Sequence, residues 1–237
     1  MTYSTYLLDF DHTLFDSNAA ENAAYEQALS EAGVVDPIAH RPAYDRINRA
    51  LWQQVEAGEI GPDEVRFARF SQLANAIGAD FDPVTVGDTF AAAIADNGNL
   101  FPGAREVLET LASRATVAIV TNAMGSVQRS RIERLGIGDL FSAVVISGEI
   151  GTSKPHAGIF DIAFEYLGQP DRASAVMIGD SLSSDIRGGI NAGVPTCWYN
   201  PGAAEAPSEM KPTHTITTLD QILGLRPATC SCATKVP

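Results

Sequence analysis

The chain has 237 residues, of which 45% are hydrophobic, so it can bury a substantial core as one large domain or as a core with a smaller insertion. Sixteen basic residues against twenty-nine acidic residues give a net charge of −13. Because so acidic a surface repels nucleic-acid backbones and anionic membranes, we expect neither as a partner. We find no leader segment, no apolar run that could span a bilayer and no cysteine pattern of a disulfide framework, and therefore expect a cytoplasmic protein.

The first predicted element is an apolar strand that ends at two carboxylates. The run Tyr6, Leu7, Leu8 is followed by Asp9 and Asp11, which point the same way in an extended chain, roughly 7 Å apart. Two adjacent carboxylates can serve as a nucleophile and as a general acid and base. An ordinary acidic junction between a strand and a loop remains open from this stretch alone.

A helical segment follows this strand. Residues 17–97 are rich in alanine, and apolar residues recur there at helical spacing. Glycine and proline interrupt the pattern at 33–42, 58–62 and 78–83, which predicts about four helices in an inserted bundle. The third helix carries Arg66, Phe67 and Arg69. These residues are either core aromatics with solvated or paired arginines, or part of a surface that faces a substrate.

Helices and short apolar strands alternate in the rest of the chain. The predicted strands are 116–120, 143–146, 175–178 and 195–198, with a last edge strand at 214–217, and the predicted helices are 106–112, 126–135, 158–167 and 185–192. This alternation predicts an α/β fold with a doubly wound parallel sheet. We expect a core domain of residues 1–16 and 98–226, a cap domain of residues 17–97 and a flexible tail at 227–237.

Polar residues converge at the carboxyl ends of the predicted strands, where parallel sheets bind their ligands. They are Asp9, Asp11, Thr121, Asn122, Lys154, Asp180 and Asp185. Each pair of like charges about 4 Å apart costs roughly 4 kcal/mol. A divalent cation and Lys154 would offset that cost, and oxygen ligands favour Mg²⁺. Thr121 and Asn122 precede a helix whose N-terminus could seat a phosphoryl group. Taken singly, Thr121 could be a helix cap and Lys154 a loop charge.

The order and spacing of these residues resemble a known family. The pattern consists of Asp9, Asp11 and Thr13, then Thr121, then Lys154 and Pro155, then Gly179, Asp180, Ser181 and Asp185. It resembles the haloacid dehalogenase-like hydrolases, with a Rossmann-like core and a helical cap inserted after the first strand. The stretches at 121–122, 179–189 and 196–201 are similar to the bacterial pyrimidine 5′-nucleotidases of that superfamily.

The resemblance implies a role for each catalytic and metal-binding residue. Asp9 would attack phosphorus and become an aspartyl-phosphate, and Asp11 would act as general acid and then general base. Mg²⁺ would be held by Asp9, the backbone carbonyl of Asp11 and Asp180. Asp185 would orient the metal shell and Lys154.

The resemblance also implies how substrate is held. Thr121, Asn122 and Lys154 would bind the phosphoryl group. The cap would close over the leaving group, with Arg66, Phe67 and Arg69 as candidate specificity residues. The expected partner is a small phosphomonoester such as a nucleoside monophosphate, and we expect a monomer or a homodimer.

Several alternatives stay open at this point. A phosphatase of small sugar phosphates or phosphoglycolate, a phosphomutase, and a non-catalytic binder of phosphorylated metabolites would share the pattern, whereas Asp11 argues against a dehalogenase. We expect the ring of His12 to turn away from the phosphate and Cys197 to be part of the core. Cys230 and Cys232 are a weak signal for a metal site.

Overall fold

The computed structural model describes residues 2–227, which form a six-stranded, all-parallel sheet with strand order β3-β2-β1-β4-β5-β6. The strands are β1 Thr5–Leu8, β2 Thr116–Thr121, β3 Ala143–Ile146, β4 Ala175–Gly179, β5 Thr196–Tyr199 and β6 His214–Ile216. All six lie where the sequence predicts strands. The topology changes direction at β1, with β2 on one side and β4 on the other, and ligands of doubly wound sheets bind at such a switch point.

Both faces of the central strands are buried, which explains their nearly continuous apolar sequence. Tyr6 and Leu8 face one hydrophobic cluster, and Leu7 faces another that includes Phe160 and Phe164. The helices of the core are α5 Ala104–Ala112, α6 Gly125–Arg134, α7 Ser147–Ile150, α8 Ala157–Tyr166 and α9 Arg187–Asn191, numbered after the four helices of the cap.

The four cap helices lie between β1 and β2. They are α1 Ser17–Glu31, α2 Arg41–Ala57, α3 Pro62–Ile77 and α4 Pro83–Asp96. Tyr25, Tyr44, Phe70 and Phe90 form an aromatic cluster inside the bundle, with ring centroids of neighbouring pairs 4.7 to 6.2 Å apart. The predicted doubly wound sheet with an inserted four-helix cap is therefore confirmed.

Two linkers join cap and core side by side. Phe15, just before α1, makes an antiparallel bridge with Leu100, after α4. The Asp16 N–H donates to the Asn99 carbonyl at 2.9 Å. Gly98 in the second linker has φ +82°, and a Cβ there would lie 2.6 Å from Phe15 Cζ. From these contacts we propose 17–97 as the cap and the flanking residues as its hinge.

The predicted helix at 185–192 differs in detail. A turn of π-helix, Leu182–Ile186, precedes α9 and continues into it, and within this turn the Asp185 side chain accepts from the Ser181 N–H at 2.9 Å. The short helix α7 is not in the sequence-based prediction. Cys197 is buried in β5, as expected, whereas Cys230 and Cys232 lie outside the described residues. Within residues 2–227 the helices are all too short or too polar to cross a membrane.

Candidate active site

Lys154 lies at the centre of the site. Its side chain is only 1% exposed, and its Nζ donates to Asp9 Oδ1 and to Asp185 Oδ1, each at 2.6 Å. Burial on its own would lower the pKa of Lys154, but the charges of Asp185 and Asp9 outweigh burial and raise it. The ammonium therefore stays protonated and joins the end of β1 to the segment that follows β4.

A glycine at the end of β4 makes room for Asp185. A Cβ at Gly179 would lie 2.1 Å from Asp185 Oδ2. This close approach lets Oδ2 accept from the Ser181 N–H, while Oδ1 accepts from Lys154. Because both oxygens of Asp185 have partners, its carboxylate is well placed to hold Lys154 in position.

Thr13 links the nucleophile candidate to the acidic residue after β4. Its hydroxyl lies 3.2 Å from Asp9 Oδ2 and 3.3 Å from Asp180 Oδ1, and it accepts from the Asp180 N–H at 3.1 Å. The indole N–H of Trp198 donates to the Asp180 carbonyl at 2.8 Å. The backbone at Asp180 is thus fixed from two sides.

The three carboxylates form a group that could hold a metal ion. Asp9, Asp180 and Asp185 each offer an oxygen within 4.8 Å of the others. Burial raises the pKa of Asp9 well above its ordinary value; Asp185 and Asp180 add to this, and Lys154 opposes it. Burial, and then Asp185, raise the pKa of Asp180 to about 7. One ammonium does not neutralise three carboxylates, so the charge and the all-oxygen donors fit a hard divalent cation.

The side chain of Asp11 lies outside this group and has three donors of its own. Ser17 Oγ donates to Oδ1 at 2.5 Å, Arg131 Nη1 to Oδ1 at 2.8 Å and Gln128 Nε2 to Oδ2 at 2.9 Å. Burial alone would raise the pKa of Asp11, but Arg131, then Ser17, lower it overall. The expected metal contact of Asp11 through its backbone carbonyl stays a prediction.

Sequence analysis missed Gln128 and Arg131. They lie three residues apart on α6, one face of a helix that follows Thr121 and Asn122. That spacing was a usable signal, since side chains at i and i+3 project toward the same neighbour. In the structure both reach Asp11, and Gln128 Nε2 also lies 3.3 Å from Thr121 Oγ1.

The two predicted phosphate-binding residues at the end of β2 have different surroundings. Thr121 is buried, at the carboxyl end of β2. The side chain of Asn122 exchanges two hydrogen bonds of 2.8 Å with the backbone of Lys154. The side chain of Asn122 is thus occupied in positioning the Lys154 loop. A phosphate contact of Thr121, or of the backbone at Asn122, stays a prediction.

A cavity of about 540 Å³ lies between these core residues and the cap. Its volume is within the range of about 300–1,000 Å³ typical of small-molecule sites. The cap contributes Glu21, Arg49, Trp52, Glu56, Arg69 and Ile94 to its wall. His12, expected to turn away, also lines the cavity. Ser183 Oγ of the core donates to Glu56 Oε1 at 3.3 Å, so core and cap touch beside the cavity.

The three candidate specificity residues of α3 separate in the structure. Arg66 pairs with Asp88 on α4, and the ring of Phe67 packs against Gly87. Neither lines the cavity, because this face of α3 packs on α4. Arg69 does line the cavity, and its guanidinium is held by Val65 O at 3.1 Å and Tyr44 Oη at 3.1 Å.

Comparison with known proteins identifies the family. The sequence profile of the haloacid dehalogenase-like hydrolases matches residues 6–199. The chain belongs to this hydrolase family. The predicted resemblance, and the prediction that the protein is an enzyme, are confirmed.

Three similar proteins cover nearly the whole chain. Pyrimidine 5′-nucleotidase PynA of Streptococcus pneumoniae is 34% identical over 94% of this chain and 94% of its own. Pyrimidine 5′-nucleotidase YjjG of Escherichia coli is 33% identical over 94% of this chain and 97% of its own. The crystal structure of the Bacillus subtilis HAD-hydrolase YfnB, bound to magnesium and showing interdomain movement, has a TM-score of 0.86 at 30% identity, covering 94% of this chain and 98% of YfnB.

The raised pKa of Asp180 leads to a prediction for the metal-free protein. The folded state keeps a proton on Asp180 up to a pKa of about 7, whereas the unfolded chain releases it near the ordinary value of 3.8. Between these values the folded state binds more protons, so stability decreases as pH rises. We expect the melting temperature in EDTA to fall from about pH 5 to about pH 8, and to fall less in Asp180→Asn.

Melting curves of both proteins across this pH range measure the effect. The matched control is Asp139→Asn. It changes an exposed aspartate in the turn after α6 and should keep the wild-type slope. Identical slopes for the wild type and Asp180→Asn would contradict the assignment of the proton to Asp180.

Proposed function

We propose that the protein is a Mg²⁺-dependent phosphatase that hydrolyses pyrimidine nucleoside 5′-monophosphates through an aspartyl-phosphate on Asp9. One observation carries the proposal: Asp9, held by Lys154 and adjacent to Asp180, lines the same cavity as Asp11. The names of the relatives PynA and YjjG support the substrate class. We expect the reaction to take place in the cytoplasm.

Asp9 and Asp11 would share the two chemical steps. A carboxylate oxygen of Asp9 attacks phosphorus, so a bond from phosphorus to Asp9 forms while the bond to the ester oxygen breaks. Because Arg131 and Ser17 lower the pKa of Asp11 in the free site, Asp11 would have to take up a proton as the anionic substrate enters, and it would then give that proton to the departing nucleoside oxygen. Asp11, now a carboxylate, then takes a proton from a water whose oxygen attacks phosphorus. The bond from phosphorus to Asp9 breaks, which releases phosphate and restores Asp9.

Lys154 would hold both the nucleophile and the phosphoryl group. An ammonium has three N–H donors, and two of those in Lys154 are used on Asp9 and Asp185. The third is left for a phosphoryl oxygen. Asp9, Asp180 and the backbone carbonyl of Asp11 would hold Mg²⁺, which when bound supplies positive charge to the phosphoryl oxygens. The magnesium in the crystal structure of YfnB supports this choice of metal.

The cap side of the cavity would receive the nucleoside. Trp52 on α2 offers an aromatic face, and Arg49, Glu56 and Arg69 offer hydrogen-bonding groups. A planar base stacks on such a face, whereas a small sugar phosphate gains little from it. The aromatic wall therefore favours a nucleotide over sugar phosphates and phosphoglycolate.

We expect the purified protein to release phosphate from UMP, dUMP or dTMP faster than from purine nucleotides, sugar phosphates or phosphoglycolate, and only with Mg²⁺. The reason is that the three clustered carboxylates need added positive charge before an anionic phosphate can enter. Phosphate release across this panel, with Mg²⁺ and with EDTA, is the measurement.

Asp9→Asn should abolish turnover of every substrate while leaving the melting curve nearly unchanged, and Asp139→Asn should be fully active. Preference for sugar phosphates or phosphoglycolate would discard the nucleotide assignment and keep the chemistry. Isomerisation of a sugar phosphate without phosphate release would favour a phosphomutase. No reaction of any substrate in the panel would favour a non-catalytic binder of phosphorylated metabolites. Appreciable activity in Asp9→Asn would contradict the covalent mechanism.

Trp52 provides a test of nucleoside recognition. Stacking of a base on an aromatic side chain is worth about 1–3 kcal/mol, so Trp52→Ala should raise KM for UMP by about 5- to 150-fold. KM for β-glycerophosphate, which has no base, should change little. Phe67→Ala is the matched control, since Phe67 is partly exposed on the neighbouring helix and does not line the cavity. Equal changes in KM for both substrates would contradict stacking on Trp52.

A further inference from the structure

Arg131 connects three parts of the molecule. Its side chain is 3% exposed. Nη1 donates to Asp11 Oδ1 at 2.8 Å, Nε donates to the Ile94 carbonyl of α4 at 3.0 Å, and the guanidinium lies 4.6 Å from the centroid of the Phe15 ring. One buried cation therefore contacts the candidate acid, the last turns of the cap and the linker that enters the cap.

A second arginine on the same helix holds the same part of the cap but does not contact Asp11. Arg134 donates to the carbonyls of Ala95, Asn97 and Gly98, at 3.1, 3.1 and 2.8 Å. Two side chains of the core helix α6 therefore bind the segment where the chain leaves the cap. Arg134 is exposed whereas Arg131 is buried, and only Arg131 of this pair reaches the carboxylate.

Two of the donors to Asp11 are tied to the two ends of the cap. Ser17 is the first residue of α1, where the chain enters the cap, and Arg131 is bonded to Ile94, where it leaves. Any shift of the cap relative to α6 must move at least one of these donors. The carboxylate of Asp11 is therefore mechanically coupled to the position of the cap.

The contact between Arg131 and Asp11 is made by one nitrogen. Nη2 of Arg131 is buried and finds no hydrogen-bond acceptor within residues 2–227. A bidentate pair would fix the carboxylate in one orientation. With one N–H from Arg131, the orientation of the carboxylate also depends on Ser17 at Oδ1 and on Gln128 at Oδ2, so Arg131 orients Asp11 together with the first residue of the cap.

From this geometry we infer that Arg131 is a positioning residue, which aims the carboxyl group of Asp11 at the leaving-group oxygen in step with the cap. The inference rests on the proposed function, in which Asp11 is the acid. It assigns to Arg131 a role that acts through Asp11 and requires no contact with the substrate.

The leaving group reveals whether this role exists. A nucleoside oxygen leaves as a poor anion and needs a proton from Asp11, whereas p-nitrophenolate is a stable anion and leaves without one. Hydrolysis of the aspartyl-phosphate, in which Asp11 is the base, is common to both substrates. Misplacing Asp11 should therefore slow the release of uridine from UMP in a single turnover much more than the release of p-nitrophenol. A merely structural loss would slow both substrates by the same factor.

The experiment compares Arg131→Met with Arg134→Met on these two substrates. General acid catalysis contributes about 10²–10⁴-fold, so we expect Arg131→Met to lower the single-turnover rate of uridine release from UMP at least about tenfold more than that of p-nitrophenol release, with KM little changed. Arg134→Met, which loosens the same linker, should change both rates by equal factors. Arg131→Lys, which keeps a cation near Asp11, should recover part of the UMP rate.

Equal losses on both substrates in Arg131→Met would overturn the inference, as would a rise in KM for UMP at constant kcat, since that would mean direct substrate binding. If Arg131→Met melts early, Arg131→Lys and Gln128→Met are compared in its place, and the same ratio of rates decides. Failure of the proposed function is seen separately, as an inactive wild type or an active Asp9→Asn. A wild type inactive on every phosphomonoester would overturn both.

Discussion

The buried ion pairs of Lys154 are the interaction on which the site depends. Asp9 comes from the central strand, Asp185 from the turn after β4 and Lys154 from the loop after α7, and the 2.6 Å contacts bring all three together. Removing one partner from a buried pair typically costs about 3–5 kcal/mol. Gly179 and Asn122 serve this arrangement, since one makes room for Asp185 and the other fixes the Lys154 backbone.

The charge left over after Lys154 determines what the site can bind. Three carboxylates around one ammonium hold protons or a cation, and a phosphate dianion can enter only beside the cation. Asp11 is kept apart from this group by Ser17, Gln128 and Arg131. The site thus separates the proposed nucleophile, next to the proposed metal ligands, from the proposed acid, which is tied to the cap. This division is what in-line displacement at phosphorus requires.

The sequence alone predicted the strands. It also predicted that Asp9, Lys154, Asp180 and Asp185 come together, because parallel strands bring their carboxyl ends to one edge of the sheet. It was not sufficient for Arg131, whose contact with Asp11 spans 120 residues along the chain and depends on how α6 is rotated. Helical spacing placed Arg66 and Arg69 near one face but could not show that Arg66 pairs with α4. The amide of Asn122 suits a phosphate or a backbone equally, and only the position of the Lys154 loop decides between them.

In the proposed mechanism the phosphoryl group is transferred to Asp9 and then to water. Each in-line displacement inverts the configuration at phosphorus, so two displacements retain it and a single attack by water inverts it. The most direct measurement is the hydrolysis of an isotopically chiral thiophosphate ester of a pyrimidine nucleoside in water enriched in heavy oxygen. Transfer through Asp9 predicts retention of configuration in the released thiophosphate, and inversion would contradict it.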